Sequence, residues 1–238
     1  MEVASAGPAL LVTAATIGVV HTLLGPDHYL PFVALARSRS WSLERTWAVT
    51  ALCGVGHVLG SIALGALGIA FGWALGGLVE VEEWRGAVAG WLLLGVGVAY
   101  TAWGLRRALR RRPHEHLHAH ADGLLHVHGH GHDSEHAHPH FGAAGKWLGP
   151  WSIFVIFVFG PCEPLIPVLI YPAAQGSLWA VAAVAGVFAA ATIGTMLAVV
   201  TAATLGLSRL PGHGLERWSH ALAGGALAAC GLAVKLGL

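Results

Sequence analysis

The sequence predicts an all-α, polytopic membrane protein with about six transmembrane helices. Hydrophobic residues make up 55% of the 238 residues and charged residues only 11%, so the chain is far more apolar than an ordinary water-soluble domain. A transmembrane helix needs about 20 mostly apolar residues. Six stretches of the chain reach this length, namely 8–36, 47–75, 86–105, 148–174, 178–205 and 218–237.

The six predicted spans form two groups of three, separated by a polar connection. We therefore expect a first three-helix transmembrane repeat at 1–105, a cytoplasmic His-rich flexible loop at 106–146 and a second three-helix repeat at 147–238. Two units that each cross the membrane three times must have opposite orientations, as in the inverted repeats of many transporters. The sequence thus predicts two inverted repeats whose first helices, spans one and four, are both broken.

Lysine and arginine are distributed unevenly between the two ends of the predicted spans. The connections after spans one, three and five hold eleven of the 13 basic residues, and the opposite side holds Arg85 and Lys235. The positive-inside rule makes the basic side cytoplasmic. Both termini and an acidic connection containing Glu80, Glu82 and Glu83 are then expected outside the cell membrane. The basic run at 106–112 directly follows a span, which favours a membrane anchor over a nucleic-acid site.

Eleven of the 16 histidines lie at nearly alternate positions in the predicted loop, in "HEHLHAHADGLLHVHGHGHDSEHAHPH". Dense imidazole in a flexible segment is typical of binding to late first-row divalent metals. A solvated linker and a pH sensor are the alternatives. The predicted metal-collecting residues are His114, His116, His118, His120, His126, His128, His130, His132, His136, His138 and His140.

The stretch "HTLLGPDHYLP", residues 21–31, places ionisable groups near the middle of the first predicted span. Pro26 removes a backbone donor and breaks or kinks a helix, and the freed backbone groups must then line a cavity or be buried in protein. Ionisable residues inside a membrane are costly and mark functional sites by default. We therefore predict that His21, Asp27 and His28 are metal ligands; the alternative is that the histidines only stabilise the kink.

The second half contains a stretch similar to this motif, "FGPCEPLIPVLIYP", which begins at Phe159. Aligning the two Gly-Pro pairs sets Cys162 opposite Asp27 and Glu163 opposite His28. Paired broken helices indicate the central site of a transporter, so Cys162 and Glu163 join the predicted ligands. His57, in the second span among small residues, is a further candidate; packing roles remain open for all three.

The "HTLLGPDH" motif resembles the signature of nickel/cobalt transporters. Six spans around a His-rich connection are similar to the nickel/cobalt efflux proteins and the urease-accessory membrane proteins grouped with them. The resemblance implies that His21, Asp27 and His28 recognise metal, and that Gly56 and His57 correspond to a second family motif. The chain differs from the nickel/cobalt uptake family in two ways. Five residues separate His21 from Asp27, where that family has four, and that family has eight spans.

The sequence therefore predicts a transporter of nickel or cobalt, acting in efflux, with no tightly bound cofactor. Its partners would be the divalent metal ion and the lipid bilayer. Zinc transport is one alternative, and a membrane thiol or redox carrier with a metal-buffering loop is another, although such a carrier needs a cysteine in each half. We find no nucleotide-binding loop and no nucleophile motif, so an enzyme is not expected.

Overall fold

The computed structural model describes residues 3–72, 75–110, 115–119, 125–129, 150–160, 162, 164–208 and 216–237. These residues are mainly helical. Short 3-10 turns at Pro26–His28 and Glu216–Trp218 link some of the helices, and β1 (Glu115–Ala119) and β2 (Leu125–Gly129) form a hairpin. The α-helices are α1 (Val3–Leu24), α2 (Leu30–Ser38), α3 (Leu43–Phe71), α4 (Leu75–Arg110), α5 (Pro150–Phe159), α6 (Leu165–Ala174), α7 (Leu178–Ser208) and α8 (Ser219–Lys235).

Four of the described helices are long and apolar enough to cross a membrane, over Gly7–Leu24, Leu43–Gly68, Gly76–Leu109 and Leu178–Ser208. Their outward faces carry large apolar side chains: Val12 is 65% exposed, Leu178 81% and Trp179 84%. Apolar surface of this extent is unusual on a water-soluble monomer. The described helices are therefore consistent with a helical membrane protein, as the composition predicts.

Two interruptions divide helices at the Gly-Pro positions that the sequence analysis identified. α1 ends at Leu24, and the chain passes through the 3-10 turn before α2 begins at Leu30. α5 ends at Phe159, and α6 begins at Leu165. In each case a proline cannot donate the helical hydrogen bond and its ring obstructs the preceding turn. Each interruption leaves backbone groups free to bond with other parts of the protein.

The third predicted span is longer than its sequence pattern indicated. We expected Glu80, Glu82 and Glu83 to lie in an exposed connection before a span at 86–105, with Arg85 beside them. The prediction that these residues lie in a connection was wrong, because α4 begins at Leu75 and contains all four of them. Glu82 is fully buried and Arg85 nearly so. The two lie one helical turn apart and pair with each other, so an apolar helix can contain both charges.

Glycines allow α4 and α8 to pack with their backbones close together. A Cβ on Gly97 would clash with the backbone of Ala228, and one on Gly224 would clash with the backbone nitrogen of Thr101. Small residues of this kind let helices approach in membranes. α1 packs on α7, and α3 lies against α5 and α7. The buried apolar residues form two clusters, one containing Phe32 and Phe157 and the other containing Phe188 and Cys162.

The β-hairpin lies within the predicted His-rich loop. Its strands are antiparallel, and its register pairs His116 with His128 and His118 with His126. The sequence analysis predicted a flexible loop here and did not anticipate these strands. The predicted metal-collecting residues His114, His120, His130, His132, His136, His138 and His140 lie outside the described residues.

Candidate metal centre

The first interruption brings His21 and His28 together. His21 lies in the last turn of α1, where its carbonyl accepts a hydrogen bond from Gly25 N at 3.0 Å. Pro26 then starts the 3-10 turn, and His28 N donates to Gly25 O at 3.1 Å. The turn folds the chain back so that the two imidazole rings meet nearly edge to face, with centroids 4.6 Å apart.

His28 is held by two acceptors on one side of its ring. Its Nδ1 lies 3.1 Å from Gly25 O and 3.2 Å from Asp27 Oδ1. A carbonyl and a carboxylate oxygen can only accept, so the proton of the neutral ring is on Nδ1. A carboxylate that accepts from one imidazole nitrogen is the common outer partner of a metal-binding histidine, because it fixes the ring and leaves the other nitrogen free. Nε2 of His28 is therefore available as a ligand.

His57 of α3 is oriented in the same way by the second interruption. Its Nδ1 donates to Phe157 O at 3.3 Å, and this carbonyl, in the last turn of α5, also accepts from Gly160 N at 3.0 Å. The ring is almost completely buried. Gly160 permits this close approach, since a Cβ there would lie 2.9 Å from His57 Nδ1. The Nε2 atom of His57 is thus also free to bind.

The Nε2 atoms of His28 and His57 face each other at 3.4 Å. With both Nδ1 atoms donating elsewhere, neutral rings would direct two lone pairs at each other, which is unfavourable unless a metal ion or a shared proton lies between them. Two nitrogens bound to one tetrahedral metal at about 2.0–2.1 Å are about 3.3–3.4 Å apart. The observed separation therefore suits a bridging metal ion.

His21 and Cys162 complete the group. The described residues offer no hydrogen-bond partner to the buried Nε2 of His21. Cys162 is fully buried in the second interruption, and the ligand atoms of His21, His57 and Cys162 all lie within 4.8 Å of one another. Imidazole nitrogens with a sulfur suit late divalent metals such as zinc, cobalt and nickel, whereas calcium and magnesium prefer oxygen.

A cavity of about 590 Å³ adjoins the centre, and its lining includes His21, Asp27, His28, Pro164 and Val234. A second cavity of about 20 Å³ borders Asp27 and His57. A volume above about 10–15 Å³ is enough for one water molecule. The histidines thus face a space that admits a small ion and part of its hydration shell.

The structure therefore brings the ligand atoms of His21, His57 and Cys162 together, with His28 beside His57 and Asp27 beside His28; the sequence analysis had proposed all five as ligands. Asp27 contacts His28 in this arrangement, so it acts as an outer partner of the group. The remaining candidate, Glu163, lies outside the described residues.

Sequence analysis missed Glu82 and Arg85, which lie next to the centre. Arg85 Nη1 donates to Glu82 Oε1 at 2.6 Å and to Ser61 Oγ at 3.2 Å. Arg85 Nη2 donates to Val158 O at 2.7 Å, and Cys162 N donates to Glu82 Oε2 at 3.4 Å. The signal that could have found them is the three-residue spacing of opposite charges in an apolar helix.

Comparison with known proteins identifies no relative: no family model, no curated protein and no solved structure matches the chain.

Proposed function

We propose that this protein transports a divalent transition metal, nickel or cobalt, across the membrane through the centre formed by His21, His28, His57 and Cys162. The observation that carries the proposal is the convergence of imidazole nitrogens without other partners: His28 and His57 face each other through Nε2, and His21 Nε2 has no partner among the described residues. Such groups are costly inside a membrane unless they bind something. The assignment to nickel or cobalt rests on the resemblance of the "HTLLGPDH" motif.

The proposed architecture is six spans arranged as two inverted three-helix repeats. In this arrangement α1–α2 and α5–α6 are the broken first helices, and α4 and α8 are equivalent third helices. The interruptions at matching Gly-Pro positions support it, as does the direct packing of α4 on α8. Broken helices at the midplane are a common site of substrate binding in transporters.

Both termini are proposed to face outward, with the His-rich loop in the cytoplasm. Three arginines of the basic side stack on tryptophan rings, namely Arg45 over Trp41, Arg107 over Trp103 and Arg217 over Trp218. Tryptophan is enriched at membrane interfaces, and basic residues accumulate on the cytoplasmic side. A loop that binds metal on this side would raise the local metal concentration for export.

A second candidate substrate is zinc, and the position of Cys162 favours it. Thiolate sulfur is a soft ligand that suits zinc, and sites of mixed nitrogen and sulfur with tetrahedral geometry are typical of that ion. The 3.4 Å separation of the His28 and His57 nitrogens agrees with tetrahedral geometry. Zinc flux must therefore be measured alongside nickel flux and cobalt flux.

The test is metal flux into proteoliposomes that contain the purified protein, measured separately for nickel, cobalt and zinc. We expect flux that His21→Ala and His28→Ala each reduce by at least about tenfold, the lower bound for loss of an outer partner of a metal site. His220→Gln serves as the matched control, because it removes an imidazole that contacts Tyr100 instead of the centre. Undiminished flux in both alanine variants would refute the proposed site, and absence of flux for every metal would refute transport.

A further inference from the structure

The buried pair of Glu82 and Arg85 has no role in the metal-binding motifs, yet it contacts the stretch that carries Cys162. The described helices otherwise keep most of their charged residues at the surface, whereas Glu82 is fully buried and bonded to Arg85 at 2.6 Å. A buried ion pair is no more stabilising than apolar residues of the same volume. Stability alone therefore does not explain why these charges lie here.

The contacts of the pair are with backbone groups that the second interruption leaves without helical partners. Val158 O accepts from Arg85 Nη2 at 2.7 Å, and Gly160 O accepts from the same atom at 3.5 Å. Cys162 N donates to Glu82 Oε2 at 3.4 Å. Lipid cannot satisfy such groups, so side chains must do so. The planar guanidinium can reach two carbonyls and one carboxylate at once, which a lysine ammonium on a flexible stem does less well.

The same stretch also orients a histidine. Phe157 O accepts the hydrogen bond from His57 Nδ1, and it precedes the first carbonyl held by Arg85 by one residue. Holding Val158, Gly160 and Cys162 against α4 thus fixes two things together: the direction of the His57 ring and the position of the Cys162 sulfur. Partners of this kind set the geometry of the ligands that bind the metal.

We propose that Glu82 and Arg85 are positioning residues, which fix the backbone between α5 and α6 so that the Cys162 thiol joins the histidines as a metal ligand. This inference rests on the proposed function of the centre. It adds that the thiol is a metal ligand only while the ion pair on α4 is intact. Removing an outer partner of a metal ligand typically weakens metal binding about 10–100-fold.

The experiment uses Co²⁺ as a probe of the purified full-length protein in detergent. Cobalt bound in a tetrahedral site gives visible d–d absorption, and a cobalt–thiolate bond adds a charge-transfer band in the near ultraviolet, which Cys162→Ser identifies by its loss. We expect Glu82→Gln to weaken Co²⁺ binding about 10–100-fold and to lower the charge-transfer absorbance per bound cobalt. Glu83→Gln is the matched control, since it makes the same chemical change at the next, exposed position of α4.

Arg85→Lys provides the second variant, because lysine retains a charge partner for Glu82 and avoids an unpaired buried carboxylate. We expect it to lower the charge-transfer absorbance as well, because it does not hold both carbonyls. It decides the test if Glu82→Gln does not fold, as judged by size-exclusion elution.

Two results would overturn the positioning role: unchanged cobalt binding in the folded variants, or weaker binding with full charge-transfer absorbance per bound cobalt. Absence of the Cys162-dependent charge-transfer band from the unaltered protein in excess Co²⁺ would instead refute the proposed metal centre itself.

Discussion

Gly160→Ala tests whether the second interruption orients His57. A Cβ at this position would lie 2.9 Å from His57 Nδ1 and 3.1 Å from Phe157 O, the two atoms of the hydrogen bond that fixes the ring. Ordinary van der Waals contact begins near 3.4 Å, so the ring must retreat by about 0.5 Å. The backbone at Gly160 does not have a positive φ, so the strain we expect is the crowding around the new Cβ.

The expected losses of stability and of metal affinity follow from this displacement of the His57 ring. The bond from His57 Nδ1 to Phe157 O is already 3.3 Å long, and a retreat of about 0.5 Å takes it beyond hydrogen-bonding distance. Loss of the bond and the added crowding together should destabilise the protein by about 1–3 kcal/mol. Sites must be held within about 0.5 Å of their productive geometry, so we expect metal affinity to fall about 10–100-fold.

The assay is Co²⁺ binding to the purified protein, followed by cobalt flux in proteoliposomes. Gly194→Ala is the matched control, because a Cβ at Gly194 of α7 meets nothing within 4 Å and alanine favours the helix. Gly160→Ala with the affinity and flux of the unaltered protein would show that the His57 ring is not held by the interruption, and the reasoning on ligand orientation would fail.

Two further predictions concern the sulfur ligand and the loop. Cys162→Ser should reduce zinc flux more than nickel flux, because a hydroxyl replaces a soft sulfur ligand. Flux measured with the two metals in competition tests this. An equal reduction of zinc flux and nickel flux would contradict a thiol ligand. Replacing His116, His118, His126 and His128, the cross-strand pairs of the hairpin, by serine should raise the metal concentration for half-maximal flux and leave the maximal flux unchanged. A lost maximal flux would place an obligatory step in the loop.

The helix interruptions were predictable, and the candidate ligands could be proposed, because both depend on local chemistry. The Gly-Pro pairs at 25–26 and 160–161 predict interruptions from local sequence alone, and ionisable residues in apolar segments are rare enough to be conspicuous. The arrangement of His21 and His28 was predicted less well. The sequence predicted a break at Pro26 but not the contact between the two rings, which the 3-10 turn brings together.

The place of Cys162 beside His21 and His57 depends on how α1, α3 and α5 pack, and no local pattern encodes that packing. Glu82 and Arg85 were placed in a connection because hydropathy treats each charge separately and so ends a span at the first cluster. In the structure the two charges neutralise each other, and the neighbouring Leu78 is buried, so α4 continues through them. An ion pair within a helix can be predicted from the sequence only when side chains one helical turn apart are considered together.

The close backbone contact between α4 and α8 limits how the molecule can change shape. The two backbones approach each other closely at Gly97 and Gly224, so sliding one helix along the other would bring backbone against backbone there. We therefore expect the two helices to move as one rigid pair. Under the proposed transport function, the motion that exposes the centre to each face of the membrane in turn would then occur where the remaining helices meet this pair. The contacts of Arg85 with the carbonyls at the end of α5 lie at such a boundary, where such motion would break and remake them.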